Sequence, residues 1–255
     1  MSPVSVSTRI RHFTKRTYVR HVFLLWVFFT IIVGLFAPLQ SKLMGPAAST
    51  QMEVVQETMT LFTYMAAPVA GLIFAVVAYS LLAWRSKGFV APEYEGTSSR
   101  GNGPTTVAWM LVSSLLCVVL LIWGLAEMAD GQTARGDERA RIINVTGNQW
   151  VWNFDYIENG SVRSQELYLP VNEPVLFHVT SVDVNHSFWI VQMGVKVDAN
   201  AGVVTDMRVT PTLIGDFDIR CAELCGLNHS AMFTKVHVVS QGDYLAWILK
   251  NGGHQ

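Results

Sequence analysis

The sequence predicts a membrane-anchored all-β protein in which three transmembrane helices precede a β-sandwich. Three observations predict this class: long apolar runs in the first half, short alternating stretches in the second half, and a basic N-terminus. The chain has 255 residues, of which 51% are hydrophobic and only 15% are charged. Such a composition is typical of a protein that lies partly in a membrane.

Residues 1–21 form a basic segment without any acidic residue. Its basic residues are Arg9, Arg11, Lys15, Arg16 and Arg20. The positive-inside rule therefore places the N-terminus in the cytoplasm. The apolar run 22–39 follows directly and is predicted to be the first transmembrane helix, because about 20 apolar residues suffice to cross a bilayer.

Residues 60–128 are predicted to form a transmembrane helical hairpin, with apolar runs at 60–84 and 104–128. Charge supports this orientation, because the cytoplasmic loop 85–103 carries three basic residues and the external loop 40–59 only Lys42. Residues 129–255 should then lie on the external, periplasmic side of a prokaryotic cell membrane.

Run 22–39 also has features of a secretory signal, because the small residues 45–49, Gly-Pro-Ala-Ala-Ser, follow it. An apolar stretch of this length is long for a signal, so retention and removal both stay open. Either outcome leaves the later topology unchanged, since residues 129–255 remain outside in both cases.

The external half consists of short alternating stretches that turn signals interrupt every dozen or so residues. Residues 141–145, 166–169 and 175–179 are typical strands, and this spacing favours a small antiparallel sandwich. Residues 243–250 predict a terminal helix with Asp243 as its cap. Residues 130–255 carry fourteen acidic and nine basic residues, a balance of minus five, so nucleic acid is not expected as a partner.

Three cysteines are too few for a multi-disulfide scaffold. Cys117 lies within an apolar run and is expected to be a small packing residue. Cys221 and Cys225 are close neighbours, so they form either a disulfide or a metal site. Zinc would be the alternative metal for such a pair.

The stretch from Cys221 to Met232 has the pattern C-x-E-x-C-G-x-x-H-x-x-M, and His186 precedes it within D-V-x-H-S. Thiolate, imidazole and thioether donors select copper over calcium or magnesium. A mononuclear blue-copper site uses one thiolate, two imidazoles and a thioether, and this sequence adds a second thiolate. Two thiolates on one loop can each bridge two metals. Donor counting therefore points to a binuclear copper centre.

These motifs resemble the CuA domain of cytochrome c oxidase subunit II. Residues 147–156, Gly-Asn-Gln-Trp-Val-Trp-Asn-Phe-Asp-Tyr, are similar to the aromatic segment of that family. The resemblance covers residues 60 to 250 and leaves out the first apolar run. It implies that the sandwich has a cupredoxin-like Greek-key fold.

The resemblance implies one ligand set for two copper ions: His186, Cys221, Glu223, Cys225, His229 and Met232. The two cysteines would bridge the ions. His229 and the main-chain carbonyl of Glu223 would complete one ion, and His186 and Met232 would complete the other. The Glu223 carboxylate would also help to bind a magnesium ion at the contact with the catalytic subunit.

The resemblance further implies that Trp150 is where an electron from cytochrome c enters. Trp152 either fills the interior or joins a docking patch on the surface. Acidic residues could steer a basic cytochrome c, and the candidates are Asp155, Glu158, Asp183 and Asp198. His178 and His237 lack the spacing of the motif and are expected to be structural.

The sequence also departs from the family pattern. Thr106 stands where many relatives have a glutamate that helps proton uptake, so that role is not carried over, although Glu93 or Glu95 could replace it. Val151 replaces a common tyrosine, and Val203 stands near a position where an arginine is expected. These departures bear on the docking of the donor and on its identity.

The sequence thus predicts the electron-accepting subunit of a respiratory terminal oxidase. It would take electrons from cytochrome c and pass them to heme in a catalytic subunit I, where oxygen becomes water. The chain is thus an enzyme subunit that does not itself reduce oxygen. The alternatives are a quinol oxidase subunit, the CuA subunit of a nitric oxide reductase-type complex, and a membrane-anchored copper carrier.

Overall fold

The computed structural model describes residues 15–83, 101–133 and 140–254; Glu93 and Glu95 lie outside these ranges. Three long helices come first, and they are α1 (Lys15–Leu43), α2 (Thr50–Ala83) and α3 (Gly103–Thr133). Each contains an apolar segment long enough to cross a bilayer. A β-sandwich follows them, so the predicted fold class is confirmed.

Helices α1 and α2 pack closely where their side chains are small. A Cβ atom on Gly71 of α2 would lie 2.5 Å from Oγ1 of Thr30, so only glycine permits this approach. One turn earlier, Nε1 of Trp26 donates a hydrogen bond to the carbonyl of Pro68 (2.7 Å). These contacts belong to the first of two compact units, which contains α1 and most of α2.

Helix α2 begins at Thr50, whereas the apolar run begins at residue 60. Ser49 caps the helix, because its Oγ accepts the N–H of Met52 (3.1 Å). The segment Ala47–Met52 belongs to the second unit, together with the sandwich. Ser49 is fully buried and donates to the carbonyl of Met193 (2.6 Å). Part of the stretch that resembles a processing site is therefore built into the core of the sandwich.

Ten strands form the described part of the sandwich. They are β1 (Arg141–Asn148), β2 (Val151–Tyr156), β3 (Val162–Ser164), β4 (Leu167–Pro170), β5 (Val175–Ser181), β6 (His186–Ile190), β7 (Val195–Ala199), β8 (Thr205–Val209), β9 (Gly215–Cys221) and β10 (Phe233–Val239). One sheet has the order β3-β2-β1-β5-β8 and the other β4-β10-β9-β6-β7.

Most neighbouring strands are antiparallel as predicted, but the pairs β1–β5 and β4–β10 are parallel. Parallel strands cannot be joined by a hairpin, so the chain crosses to the other sheet between the two members of each pair. Between β6 and β9 the chain makes a separate excursion to the first sheet, at β8, and β6 and β9 pair directly although they are distant in sequence. That pairing positions the candidate site.

Alternate residues of each strand fill the space between the sheets. The largest fully buried side chains include Trp152, Phe154, Phe177 and Phe188. Such close packing holds the strands in fixed register.

Helix α4 (Gln241–Lys250) adds Tyr244 and Ile248 to this core. The expected cap at Asp243 is wrong, because Ser240 is the cap. Oγ of Ser240 accepts the N–H of Asp243 (3.2 Å) and donates to its carboxylate (2.6 Å). The serine hydroxyl satisfies an N–H of the first helical turn, so the helix starts closer to the N-terminus than Asp243.

Tyr244 should make the free energy of unfolding of the β-sandwich depend on pH in the alkaline range. Burial raises the pKa of Tyr244 to about 12, although Arg141 acts in the opposite direction. In an unfolded chain tyrosine loses its proton near pH 10, so the stabilisation is complete below pH 10 and is lost as the pH rises to about 12. We expect a loss of about 2–3 kcal/mol from this residue.

The Tyr244→Phe variant tests this expectation by removing the ionising group. Chemical unfolding followed by tryptophan fluorescence at pH 9 and pH 11.5 should show a smaller loss of stability in the variant than in the parent. Equal losses in the two proteins would contradict the assignment to Tyr244.

Candidate metal centre

The predicted donors meet at one end of the sandwich. His186 begins β6 and Cys221 ends β9, and these neighbouring strands pair Phe188 with Cys221. The connection between β9 and β10 carries the other donors, which are Glu223, Cys225, His229 and Met232. The fold thus brings together every residue that the motif predicts as a metal ligand.

The two cysteine sulfurs form the middle of this cluster. Cys221 and Cys225 are buried free thiols with their Sγ atoms 3.8 Å apart, well beyond the roughly 2.05 Å of a disulfide bond. Nδ1 of His186 lies 3.8 Å from Sγ of Cys221, and Nδ1 of His229 lies 3.6 Å from Sγ of Cys225. Each thiol therefore has its own imidazole.

Two weaker donors lie beside the thiols. Sδ of the buried Met232 is 3.8 Å from Sγ of Cys225. The main-chain oxygen of Glu223 is 3.2 Å from Sγ of Cys221, while the Glu223 side chain is exposed. The carbonyl, rather than the carboxylate, is thus the oxygen that this residue offers to the cluster.

Asp183 orients the imidazole of His186. Its Oδ1 lies 2.8 Å from Nε2 of that ring, which leaves Nδ1 facing the thiols. Burial acts to raise the pKa of Asp183, but hydrogen bonds outweigh it and lower the pKa to about 2. The donors are the N–H groups of Gln149 and Val184, the His186 ring and the Ser181 hydroxyl. This carboxylate is therefore ionised at neutral pH.

A cation that binds at this site must displace the proton of the Cys225 thiol. Burial raises the pKa of Cys225 to about 11, and the neighbouring Cys221 acts in the same direction. A neutral thiol is therefore the form at pH 7 without a cation. Because metals bind the thiolate, binding should release protons.

The two tryptophans of the aromatic segment have different surroundings. The connection between β9 and β10, residues 222–232, is called the metal loop below. Trp150 is half-buried and lies against this loop, where a Cβ on Gly226 would be 3.4 Å from the Trp150 ring. Trp152 is buried in the core and its ring makes an edge contact with His186, with centroids 5.9 Å apart. A place for Trp152 in a surface docking patch is therefore wrong, and its role is to pack behind a candidate ligand.

The acidic residues considered for steering have other contacts. Asp155 pairs with Arg163 (3.5 Å), and Asp198 accepts from the Ser187 hydroxyl (2.8 Å). Asp183 holds His186, as described above. Glu158 lies exposed on a short turn of 3₁₀-helix.

The remaining residues singled out from the sequence lie elsewhere. Val151 and Val203 are exposed, and Thr106 lies in the first turn of α3, where its N–H donates to the Asn102 carbonyl (2.9 Å). His178 and His237 lie on strands, and each pairs with an aspartate at 2.7 Å, which agrees with a structural role. Cys117 is a free, exposed cysteine on α3.

Sequence reasoning missed the contacts of three residues that shape the site. Asp183 was predicted as part of the D-V-x-H-S motif and as a surface charge, but its hydrogen bond to the His186 ring was not predicted. Gly147 was not singled out, yet a Cβ there would lie 2.9 Å from Cδ2 of His186. Gln149 was also missed, and its side-chain amide donates to the Cys225 carbonyl (2.7 Å). Nothing in the linear pattern indicates the last two contacts.

Comparison with known proteins gives a consistent result. The family model of the cytochrome c oxidase subunit II periplasmic domain matches residues 161–239. Cytochrome c oxidase subunit 2 of Alkalihalophilus pseudofirmus is 32% identical over 78% of this chain and 58% of that relative. The subunit from Bacillus sp. PS3 is also 32% identical, with 46% of its length covered. The chain thus spans about half the length of these relatives.

A solved structure is also similar over the external half. The periplasmic domain of subunit II of cytochrome oxidase from Bradyrhizobium japonicum is 28% identical, with a TM-score of 0.43 over 45% of this chain and 94% of that one.

One relative is matched over enough of its own length to show the family. Heme-copper oxidase subunit 2 of Aeropyrum pernix is 32% identical, and the match covers 72% of this chain and 84% of that protein. The match therefore includes most of both proteins rather than a shared motif alone. The chain belongs to the cytochrome c oxidase subunit II family of heme-copper oxidases.

Proposed function

We propose that this chain is the electron-accepting subunit of a respiratory terminal oxidase and that its external domain holds a binuclear CuA centre. One observation carries the proposal: two free thiols lie 3.8 Å apart and each has its own imidazole nitrogen within 3.8 Å. Cysteine, histidine and methionine donors together favour copper over hard cations. The donor set therefore fits the group that the family implies.

The spread of the donors favours two ions over one. His186, Cys221 and Cys225 have ligand atoms within 4.8 Å of one another, and His229 is not part of that group. A tetrahedral zinc site needs all four donors around one point. A pair of ions bridged by the thiols can use both imidazoles without bringing them together.

The protein holds the donors in fixed positions. Asp183 fixes the His186 ring, and Trp152 packs behind it. Bound copper would supply one-electron transfer with little change in its bonds, because a rigid surrounding resists rearrangement. Trp150 lies against the metal loop at Gly226 and is the proposed point where an electron enters.

The partners follow from the family and the proposed site. Cytochrome c is the proposed donor, and heme in a catalytic subunit I is the proposed acceptor, where oxygen is reduced to water. The exposed Glu223 carboxylate is free to bind magnesium at the contact with that subunit. With three candidate spans, the chain is proposed to lie in a prokaryotic cell membrane with the sandwich on the periplasmic side.

Quinol oxidation is the second candidate function. Quinol oxidase subunit 2 of Bacillus spizizenii is 23% identical over 81% of this chain. The complete set of soft donors favours the copper-containing branch, because a quinol-oxidising subunit needs no copper to accept electrons. A nitric oxide reductase-type partner or a role as copper carrier would be shown by the same experiment.

The test is purification of the full chain from membranes in mild detergent, followed by metal analysis, copper resonance spectroscopy and identification of the subunits and hemes that accompany it. We expect two copper ions per chain, a purple colour with a multiline copper resonance, a heme-copper subunit, and oxygen consumption with reduced cytochrome c. Zinc or a disulfide at the loop would refute the copper centre. Colourless Cu(I) without a heme subunit would indicate a carrier, and turnover with quinol alone would replace the donor.

A further inference from the structure

Gln149 links the turn that carries Trp150 to the metal loop. This turn joins β1 to β2, and the side-chain Nε2 of Gln149 donates to the carbonyl of Cys225 (2.7 Å). Cys225 carries one of the two central thiols, so this hydrogen bond ends on the backbone of a candidate ligand residue. The amide nitrogen is the donor here because a carbonyl can only accept.

The main chain of Gln149 reaches the other side of the cluster. Its N–H donates to Oδ2 of Asp183 (2.7 Å), and Oδ1 of the same carboxylate holds Nε2 of His186 (2.8 Å). One residue therefore connects the turn to a thiol ligand through its side chain and to an imidazole ligand through its backbone. His186 begins β6, whereas Cys225 lies on the connection between β9 and β10, so the two ligands are far apart in sequence.

Gly226 leaves the space that this arrangement needs. A Cβ at this position would lie 3.0 Å from Nε2 of Gln149 and 3.4 Å from the ring of Trp150. Its φ of +117° also lies in the region that side chains disfavour. The glycine lets the amide and the indole lie directly on the metal loop.

We infer that Gln149 is a positioning residue that fixes the metal loop to the turn bearing Trp150. The inference rests on the proposed function, since it concerns how that centre is held. The side-chain bond restrains the loop at Cys225, and the backbone bond restrains His186 through Asp183. Because the side chain is exposed as a whole, its replacement should leave the sandwich folded.

Three variants of the full chain separate the contributions. Gln149→Ala removes the donor, Gln149→Glu places an acceptor against the Cys225 carbonyl, and Gln149→Asn keeps an amide that is one methylene shorter. In all three the backbone bond to Asp183 remains. Asn148→Ala is the matched control, because Asn148 is an adjacent amide that lines a cleft on the outer face of the first sheet.

The measurements are copper release to a chelator, the copper resonance spectrum and the reduction potential. We expect Gln149→Ala to release copper about threefold to tenfold faster than the parent, less than the 10–100-fold typical of groups that contact a ligand directly. Gln149→Glu should release copper faster than Gln149→Ala and should also shift the copper resonance spectrum. Gln149→Asn should release copper more slowly than Gln149→Ala, and Asn148→Ala should release it at the parental rate. Equal release rates and spectra in the parent, Gln149→Ala and Gln149→Glu would overturn the inference.

Hydrogen exchange in the metal-free protein distinguishes this inference from the proposed function. If the parent binds no copper, the proposed function fails. The positioning role is then supported by faster amide exchange at residues 222–228 in Gln149→Ala than in Asn148→Ala, and unchanged exchange there would refute it.

Discussion

Cys225→Ser should abolish the binuclear copper signature and reduce electron transfer from the donor by more than about 100-fold, since even groups beside a ligand change affinity or activity by 10–100-fold. The Cys225 sulfur lies within 3.8 Å of three other candidate donors: Cys221, His229 and Met232. A serine hydroxyl is a harder donor with a much higher pKa and cannot replace a bridging thiolate. Metal analysis, copper resonance and stopped-flow oxidation of reduced cytochrome c measure the outcome.

Cys117→Ser is the matched control for this change. Cys117 is an exposed residue of α3, and the same substitution there should leave copper content and electron transfer at the parental level. If Cys225→Ser kept the parental copper content and spectrum, the thiol pair would not hold the metal. If Cys117→Ser lost copper as well, a general effect of cysteine removal would explain both results.

Gly147→Ala should displace His186 although it adds only one methyl group. The new Cβ would lie 2.9 Å from Cδ2 of His186 and 3.2 Å from the ring of Trp152. His186 and Trp152 are both fully buried, and the closer of the two contacts is with the imidazole, so the crowding acts mainly on the position of His186 relative to the thiols. Overpacking of this kind costs about 1–3 kcal/mol, which lowers the unfolding midpoint by roughly 3–10 °C. Calorimetry and copper content together measure both consequences.

A second substitution distinguishes crowding from other causes. Trp152→Phe removes the part of the indole that the new methyl group would meet, so the double variant should recover part of the copper content that Gly147→Ala loses. Gly242→Ala is the control, because a Cβ there meets only Oγ of Ser240, at 3.9 Å. An unchanged copper spectrum in Gly147→Ala, or no recovery in the double variant, would show that the close approach is not a constraint on His186.

The sequence predicted those parts of the molecule whose physical cause is local. Long apolar runs indicate membrane spans because the bilayer demands a minimum length. The metal loop was predicted because four side-chain donors, Cys221, Cys225, His229 and Met232, lie within residues 221–232, so their spacing is visible in the linear chain. The strand order of the ten-stranded sandwich and the place of His186 beside Cys221 could not be predicted from local sequence, since they depend on the pairing of distant strands such as β6 and β9.

The features that were wrong or missed depend on packing between distant segments. Trp150 and Trp152 are two residues apart on one chain segment, and only the fold decides that one contacts the metal loop and the other enters the core. The contact of Gln149 with the Cys225 carbonyl spans 76 residues of sequence. Residue type alone does not indicate such a bond, because glutamine is also common on solvent-exposed turns.

The position of Ser49 bears on the order in which this protein is made. Ser49 and Met193 are joined by a buried hydrogen bond, yet they lie 144 residues apart. Ser49 leaves the ribosome long before β6, β9 and the metal loop exist. The sandwich can close around Ser49 only after α2 and α3, which both contain candidate membrane spans, have been synthesised. For the proposed copper centre, this order makes metal loading a late event of biogenesis, after synthesis of nearly the whole polypeptide.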